Sequence, residues 1–193
     1  MGQHDFNCRD RTMKASNTII IGDAVVDTTI RLPKSDLGID TLMDMTPEMS
    51  AGGTVGNTAV ALARLGIDVG LVFAVGADGY GEFLKRDLAN AGVEIRYARI
   101  ITGRFTINVI VIIDRSGERF FFVHPADDPA SYYYPPVELD LTGIAQAGWL
   151  HTAGSCFESG STREAVLIAM KCAKQVGIPV SLDLNLRPRE NAL

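Results

Sequence analysis

The chain has 193 residues, 47% hydrophobic and 21% charged, which supplies enough apolar material for one sizeable core and excludes disordered, collagenous and coiled-coil classes. Eighteen Lys and Arg against 23 Asp and Glu leave a net charge of −5. No segment clusters the basic residues, so nucleic acid is not an expected partner.

The length suits one domain with a small appendage, or an incomplete larger domain. No apolar run approaches the roughly 18 residues of a membrane span, and Met1 to Lys14 is polar without a hydrophobic signal region. A cytoplasmic protein with no membrane contact is therefore expected, and residues 1–17 are expected to form a flexible tail. Gly2 makes no myristoylation signal, because Phe6 stands where Ser or Thr is needed. Cys8, Cys156 and Cys172 are odd in number and lack metal-ligand spacing, which predicts free thiols and no zinc site.

In chain order, Thr18 to Val26 is a β-branched run broken by Gly22 and Asp23, the pattern of a buried parallel strand. Thr54 to Leu65 has helical spacing and stops at Gly66. Val69 to Val75 reads as the next strand. Phe83, Leu84, Leu88 and Ala91 then mark one face of a helix ending at Gly92. From Phe105 to Val123 the period changes to two around the turn Asp114-Arg115-Ser116-Gly117, which predicts a β-hairpin. Both its faces carry apolar side chains, so a second surface is expected to pack on it. After a Pro- and Tyr-rich loop (Pro125 to Pro136), strand, helix and strand follow at Trp149 to Ala153, Thr162 to Val176 and Ile178 to Leu184. Ser161 and Glu164 have capping-box spacing at the start of that helix.

Three groups of residues could carry chemistry. Gly52-Gly53-Thr54-Val55-Gly56-Asn57 opens a helix and could present backbone N–H groups to an oxygen-rich ligand, or be only a tight turn. It lacks the Lys-Ser/Thr of a phosphate loop. Asp27 follows an apolar strand, where a carboxylate would face the crevice of an open α/β sheet and accept from two hydroxyls, or simply be solvated. Asp183, Asn185 and Arg187 alternate at the exit of the last strand, which places them on one face, with an anion-binding Arg beside groups suited to hydroxyls or hydrated metal, or they are only a capped strand end with a surface Arg. Gly76-Ala77-Asp78-Gly79 is better explained as a strand-to-helix turn. His151 lies in an apolar strand and reads as a hydrogen-bonded core residue, while His4 and His124 give no catalytic spacing. Tyr132, Tyr133 and Tyr134 receive no role.

Taken together, several of these stretches resemble the N-terminal part of the ribokinase-like (PfkB) carbohydrate kinases. The matches are Gly22, Asp23 and Asp27, then Ala51-Gly52-Gly53-Thr54-Val55-Gly56-Asn57-Thr58-Ala59, which looks like the family's first signature. Leu65-Gly66, Val75-Gly76 with Asp78 and Gly81, the strand after Thr102-Gly103, and Ser181-Leu182-Asp183-Leu184-Asn185-Leu186-Arg187 follow in register. The likeness runs from Thr18 to Leu193.

The resemblance implies an α/β fold over residues 18–193: a mostly parallel sheet flanked by helices, with a small β lid from segments 28–50 and 104–124 and the C-terminal part of the fold absent. It implies a sugar kinase that transfers phosphate from ATP, with Mg2+, to a sugar hydroxymethyl group. Asp27, Gly52, Gly53 and Asn57 match positions that hold sugar hydroxyls. Asp183, Asn185 and Arg187 match a phosphate-proximal pattern of the ketodeoxygluconate and fructose kinase branch, and positioning with charge stabilisation is what phosphoryl transfer needs. The family's second signature, a Gly-Ala-Gly-Asp turn carrying the catalytic base, would lie beyond Asn185, and the chain ends at Leu193. No catalytic residue, resident metal or nucleotide pocket is therefore expected in this chain, which would be inactive alone. A homodimer through the β lid is expected. A non-catalytic carbohydrate-binding or regulatory module, or a purely structural fragment, are the competing classes.

Overall fold

A computed structural model describes residues 17–32, 46–157 and 159–185. The run from Thr18 to Val26 is not one strand. β1 (Thr18–Ile21) ends at Gly22, and β2 (Val25–Arg31) starts three residues later in a different sheet. Gly22 explains the break: its φ is 154°, and a Cβ there would lie 2.3 Å from Cys156 Sγ, so only glycine lets the chain turn this close to its neighbour.

β3 (Glu48–Gly52) leads through Gly53 into α1 (Thr54–Arg64), which is followed by β4 (Val69–Val72). The predicted strand 69–75 is also split, because Phe73 separates β4 from β5 (Ala74–Gly76), which pairs in parallel with β6 (Arg99–Ile101). Between them lies α2 (Gly79–Asn90). Asp78 caps this helix, one oxygen accepting from Gly81 N at 2.8 Å and the other from Thr106 N at 2.7 Å. The Gly76–Gly79 stretch is thus the strand-to-helix turn expected of it, with the added task of fixing the entrance to the hairpin.

The hairpin consists of β7 (Asn108–Ile113) and β8 (Arg119–His124), so the strand begins three residues after Phe105. It joins a four-stranded sheet in the order β3-β2-β7-β8, with β2 parallel to β7. Every residue of β8 is exposed, including Phe120, Phe121 and Phe122.

The chain then passes through short 3-10 turns at Ala130–Tyr133 and Pro136–Glu138 to α3 (Leu141–Gln146), β9 (Trp149–Ala153), α4 (Gly160–Gln175) and β10 (Val180–Asp183). The capping box is not formed. Ser159 is the N-cap and makes no side-chain cap bond; Ser161 already lies within the helix and donates instead to Tyr134 O at 3.0 Å.

The main sheet has the parallel order β10-β9-β1-β4. Successive residues of β1 face opposite layers, as a two-residue period requires. Ile20 packs with Val55, Ala59, Leu84 and Leu88 of α1 and α2, while Ile19 and Ile21 pack with Ala165, Val166 and Ala169 of α4. All three isoleucines are fully buried, each burial contributing roughly 1.5–3 kcal/mol. From β1 the chain goes through α1 on one face to β4, and from β9 through α4 on the other face to β10. The strand order therefore reverses between β1 and β9, which opens a crevice beyond their C-terminal ends.

Candidate functional site

Asp27 is the third residue of β2, within the β3-β2-β7-β8 sheet, rather than at the end of a strand of the parallel sheet. The correction follows from the turn at Gly22, which carries the chain out of the main sheet before Asp27 is reached. Its carboxylate lies over Gly52: a Cβ on Gly52 would be 2.2 Å from Asp27 Oδ2 and 2.5 Å from Cγ. Half burial pushes the Asp27 carboxyl above its ordinary value, because the charged form loses water. No described residue hydrogen-bonds to this carboxylate.

Gly52 and Gly53 join the lid-like sheet to α1. Gly53 is the N-cap, with φ 87° and ψ 155° and no side chain to satisfy the first turn. The helix start therefore presents N–H groups that have no intrahelical partner beside a carboxylate. Asn57 sits in that first turn with its side chain exposed, its own N–H bonded to Gly53 O at 2.9 Å.

From the far end of the chain, Asp183 closes β10 and accepts from Asn185 N at 2.9 Å. Asn185 has φ 44° and has left the strand, so the two side chains do not alternate along an extended segment as the spacing predicts. Asn185 Nδ2 instead donates to Thr54 Oγ1 at 2.7 Å. That bond brings the Asp183–Asn185 group and the glycine-rich helix start to one place. Arg187 lies outside the described residues.

Sequence reasoning passes over the floor of the crevice. Asp23, just after β1, accepts from Ser155 Oγ at 2.8 Å, and Ser155 lies just after β9. Together with Ile107, Ser131, Tyr132, Cys156 and Thr162 they line a cavity of about 170 Å3. A local signal exists for both polar residues: Ile21-Gly22-Asp23 and Ala153-Gly154-Ser155 share the order apolar, glycine, polar at a strand's end.

Cys156 and Cys172 are buried, and burial raises the Cys156 thiol above its ordinary value. Cys8 and His4 lie outside the described residues. His151 accepts or donates through Nδ1 to Ser181 Oγ at 2.8 Å, and burial lowers its pKa, with Asp183 partly opposing. Tyr134 is buried and its hydroxyl is pushed up to about 12, chiefly by desolvation. Among the described residues no three His, Cys, Asp or Glu side chains stand close enough to hold a metal ion, and no helix is long and apolar enough to cross a membrane.

Comparison with known proteins identifies the family and the fold. The model of the pfkB family carbohydrate kinases matches residues 16–192. A fructokinase of Klebsiella pneumoniae is 34% identical over 170 residues, covering 87% of this chain and 50% of that enzyme. An aminoimidazole riboside kinase of Salmonella typhimurium is 31% identical over 180 residues, covering 92% and 51%. The crystal structure of a Xylella fastidiosa fructokinase with bound ATP superposes with a TM-score of 0.75 at 28% identity, over 90% of this chain and 53% of that one. The chain spans about half the length of the relatives it matches. With the family's match running almost from end to end of a fold that these kinases share, the chain belongs to the PfkB family of carbohydrate kinases.

Proposed function

We propose that this chain is the sugar-binding and lid-bearing part of an ATP-dependent sugar kinase. The observation that carries the reading is the meeting of three distant segments: Asp27 over Gly52, the open start of α1 after Gly53, and Asn185 bound to Thr54. A carboxylate with free lone pairs accepts from vicinal hydroxyls, and helix N–H groups donate to sugar oxygens, so the pair forms a clamp for a diol. Asn57 projects from the same first turn to a third oxygen. Asp183, Asn185 and Arg187 are assigned to the side of the transferred phosphate, where a guanidinium suits the phosphoryl oxygens.

The catalytic base and the nucleotide site are assigned to sequence outside this chain. The described residues contain no second glycine-rich turn following a late strand, and the relatives are about twice as long. They accordingly do not fit ATP or its Mg2+. The exposed phenylalanines of β8 support a homodimer through the lid.

The reading is tested on purified residues 1–193 by sugar titration and by ADP release with ribose, fructose and 2-keto-3-deoxygluconate. Sugar binding without turnover is expected. Sugar-dependent ADP release by this chain alone would overturn the division of labour, and a folded chain that binds no sugar would overturn the reading itself.

A further inference from the structure

An aspartate on α2 reaches across to the strand that carries Gly52. Asp87 Oδ2 accepts from Ala51 N at 2.7 Å, a bond between residues 36 apart in the chain. The register says why that N–H is available. Val26 stands opposite Ala51 and gives its own N–H to Ile107 O at 2.9 Å, on the side of β7. At the Val26–Ala51 pair the antiparallel strands therefore exchange no bonds, and Ala51 N–H points off the edge of the β3-β2-β7-β8 sheet. Asp87 meets it there.

Nothing local to α2 favours an aspartate at this point. Asp87 opens the last turn of the helix, where a negative charge opposes the macrodipole, and that turn has no basic residue to offset it. Aspartate is also a poor helix former away from the N-terminus. A residue that runs against its local preference is explained by a tertiary contact, and the contact here is Ala51. Beyond its pairing with β2 the strand is little covered: Glu48, Met49 and Ser50 are exposed, and only Ala51 and Gly52 turn inward, Ala51 against the cluster containing Leu84 and Leu88.

What Asp87 holds is the wall of the diol clamp. Asp27 stands opposite Ser50, so Gly52, two residues on, lies on the same face of the sheet, one diagonal step from the carboxylate. The fit is close, since a Cβ on Gly52 would lie 2.2 Å from Asp27 Oδ2. The bond at Ala51 fixes the residue before Gly52 and, through Gly53, the start of α1. We propose that Asp87 is a positioning residue: it touches no sugar, and by pinning the end of β3 it sets the distance between the Asp27 carboxylate and the N–H groups of α1. The proposal rests on the sugar-kinase reading above.

The test combines amide hydrogen exchange followed by NMR with sugar titration of the 193-residue chain, for wild type, Asp87→Ala and Asp87→Asn. Asparagine keeps a carbonyl oxygen that can accept from Ala51, and alanine does not. In Asp87→Ala the Ala51 amide should exchange about tenfold faster, while the amides of β1 in the main sheet keep their wild-type rates. Whichever of fructose, ribose and 2-keto-3-deoxygluconate the wild type binds most tightly should bind Asp87→Ala about three- to tenfold more weakly, the range for one hydrogen bond. Asp87→Asn should restore both the exchange rate and the affinity. Unchanged affinity in Asp87→Ala, with the wild type binding sugar, would overturn the proposal and leave the sugar-kinase reading standing. So would an Asp87→Asn variant as impaired as Asp87→Ala, because the charge and not the bond would then matter. Faster exchange throughout β1 in Asp87→Ala would make the residue a general support of the fold and end the proposal. A wild type that binds none of the three sugars would bring down that reading and the proposal together.

Discussion

Replacing Gly52 by alanine separates the clamp from the fold. The new Cβ would lie 2.2 Å from Asp27 Oδ2, 2.5 Å from Cγ and 2.9 Å from Oδ1, so the carboxylate must swing away. The obstacle is the end of a side chain, not backbone, and Gly52 is not at positive φ, so the main chain need not move. Restricting the unfolded chain by a Gly→Ala change is worth about 0.4–1 kcal/mol, which offsets the displacement. Losing hydrogen bonds to a charged group costs about 1.5–3 kcal/mol. At about 1.4 kcal/mol per decade, sugar affinity should fall roughly 10- to 150-fold. Gly53→Ala is the contrast. There φ is 87°, and the Cβ would meet Asp23 O at 2.9 Å and Ala24 Cα at 3.1 Å, which are backbone atoms. That variant should lose about 1–3 kcal/mol of stability from conformational strain. Sugar titration and urea denaturation of both variants measure the two effects. Gly52→Ala with unchanged affinity, or with a stability loss equal to that of Gly53→Ala, would refute the idea that Gly52 is small to make room for the Asp27 carboxylate.

Asp27→Asn should remove a pH dependence. Burial raises the folded carboxyl above its ordinary value of 3.8, so the native state holds its proton more tightly than the unfolded one, and wild type loses stability as pH rises from about that value through the raised one. The melting midpoint of the variant relative to wild type should therefore increase from pH 3 to pH 7, and a constant difference would contradict the burial argument. Asp78→Ala removes the cap of α2 and leaves Thr106 N–H without its acceptor. It should cost about 1.5–5 kcal/mol in urea denaturation, from roughly 0.5–2 for the cap and 1–3 for the orphaned donor; a cost below 0.5 would show that water replaces both bonds. Phe122→Glu, on the exposed strand β8, should shift the protein toward monomer in light scattering, and a wild-type monomer at working concentrations would rule out the lid dimer.

Local order in the chain was enough to determine α1, α2, α4 and the hairpin, though not the short helix α3. Leu84 and Leu88 one turn apart, glycines 66 and 92 after the helices, and the alternation from Asn108 to Ile113 are features of neighbouring residues, and short-range geometry obeys them. The resemblance to the family was legible for a similar reason, because its signature around Gly52 and Asn57 is contiguous. Local order failed where a distant partner decided. Thr18 to Val26 is apolar enough for one strand, and only the approach of Cys156, 134 residues after Gly22, shows why it must turn there. Ser161 and Glu164 have the spacing of a cap, but the carbonyl of Tyr134 takes the serine hydroxyl.

The site depends still more on tertiary structure. That Asp27 is a carboxylate near an apolar run is written in the chain; that it stands on the β3-β2-β7-β8 sheet against Gly52 is not. Asn185 and Thr54 are separated by 131 residues, and Ser155 and Asp23 by 132, and no periodicity or motif reports such pairs. They meet because β9 and β10 are parallel neighbours on one side of β1 while α1 crosses to β4 on the other, which carries the ends of separate strands to a common crevice. Whether a buried hydroxyl finds a partner is likewise a property of its surroundings: Thr162 and Ser131 have similar chemistry, and packing satisfies the first while the Oγ of the second has no partner among the described residues.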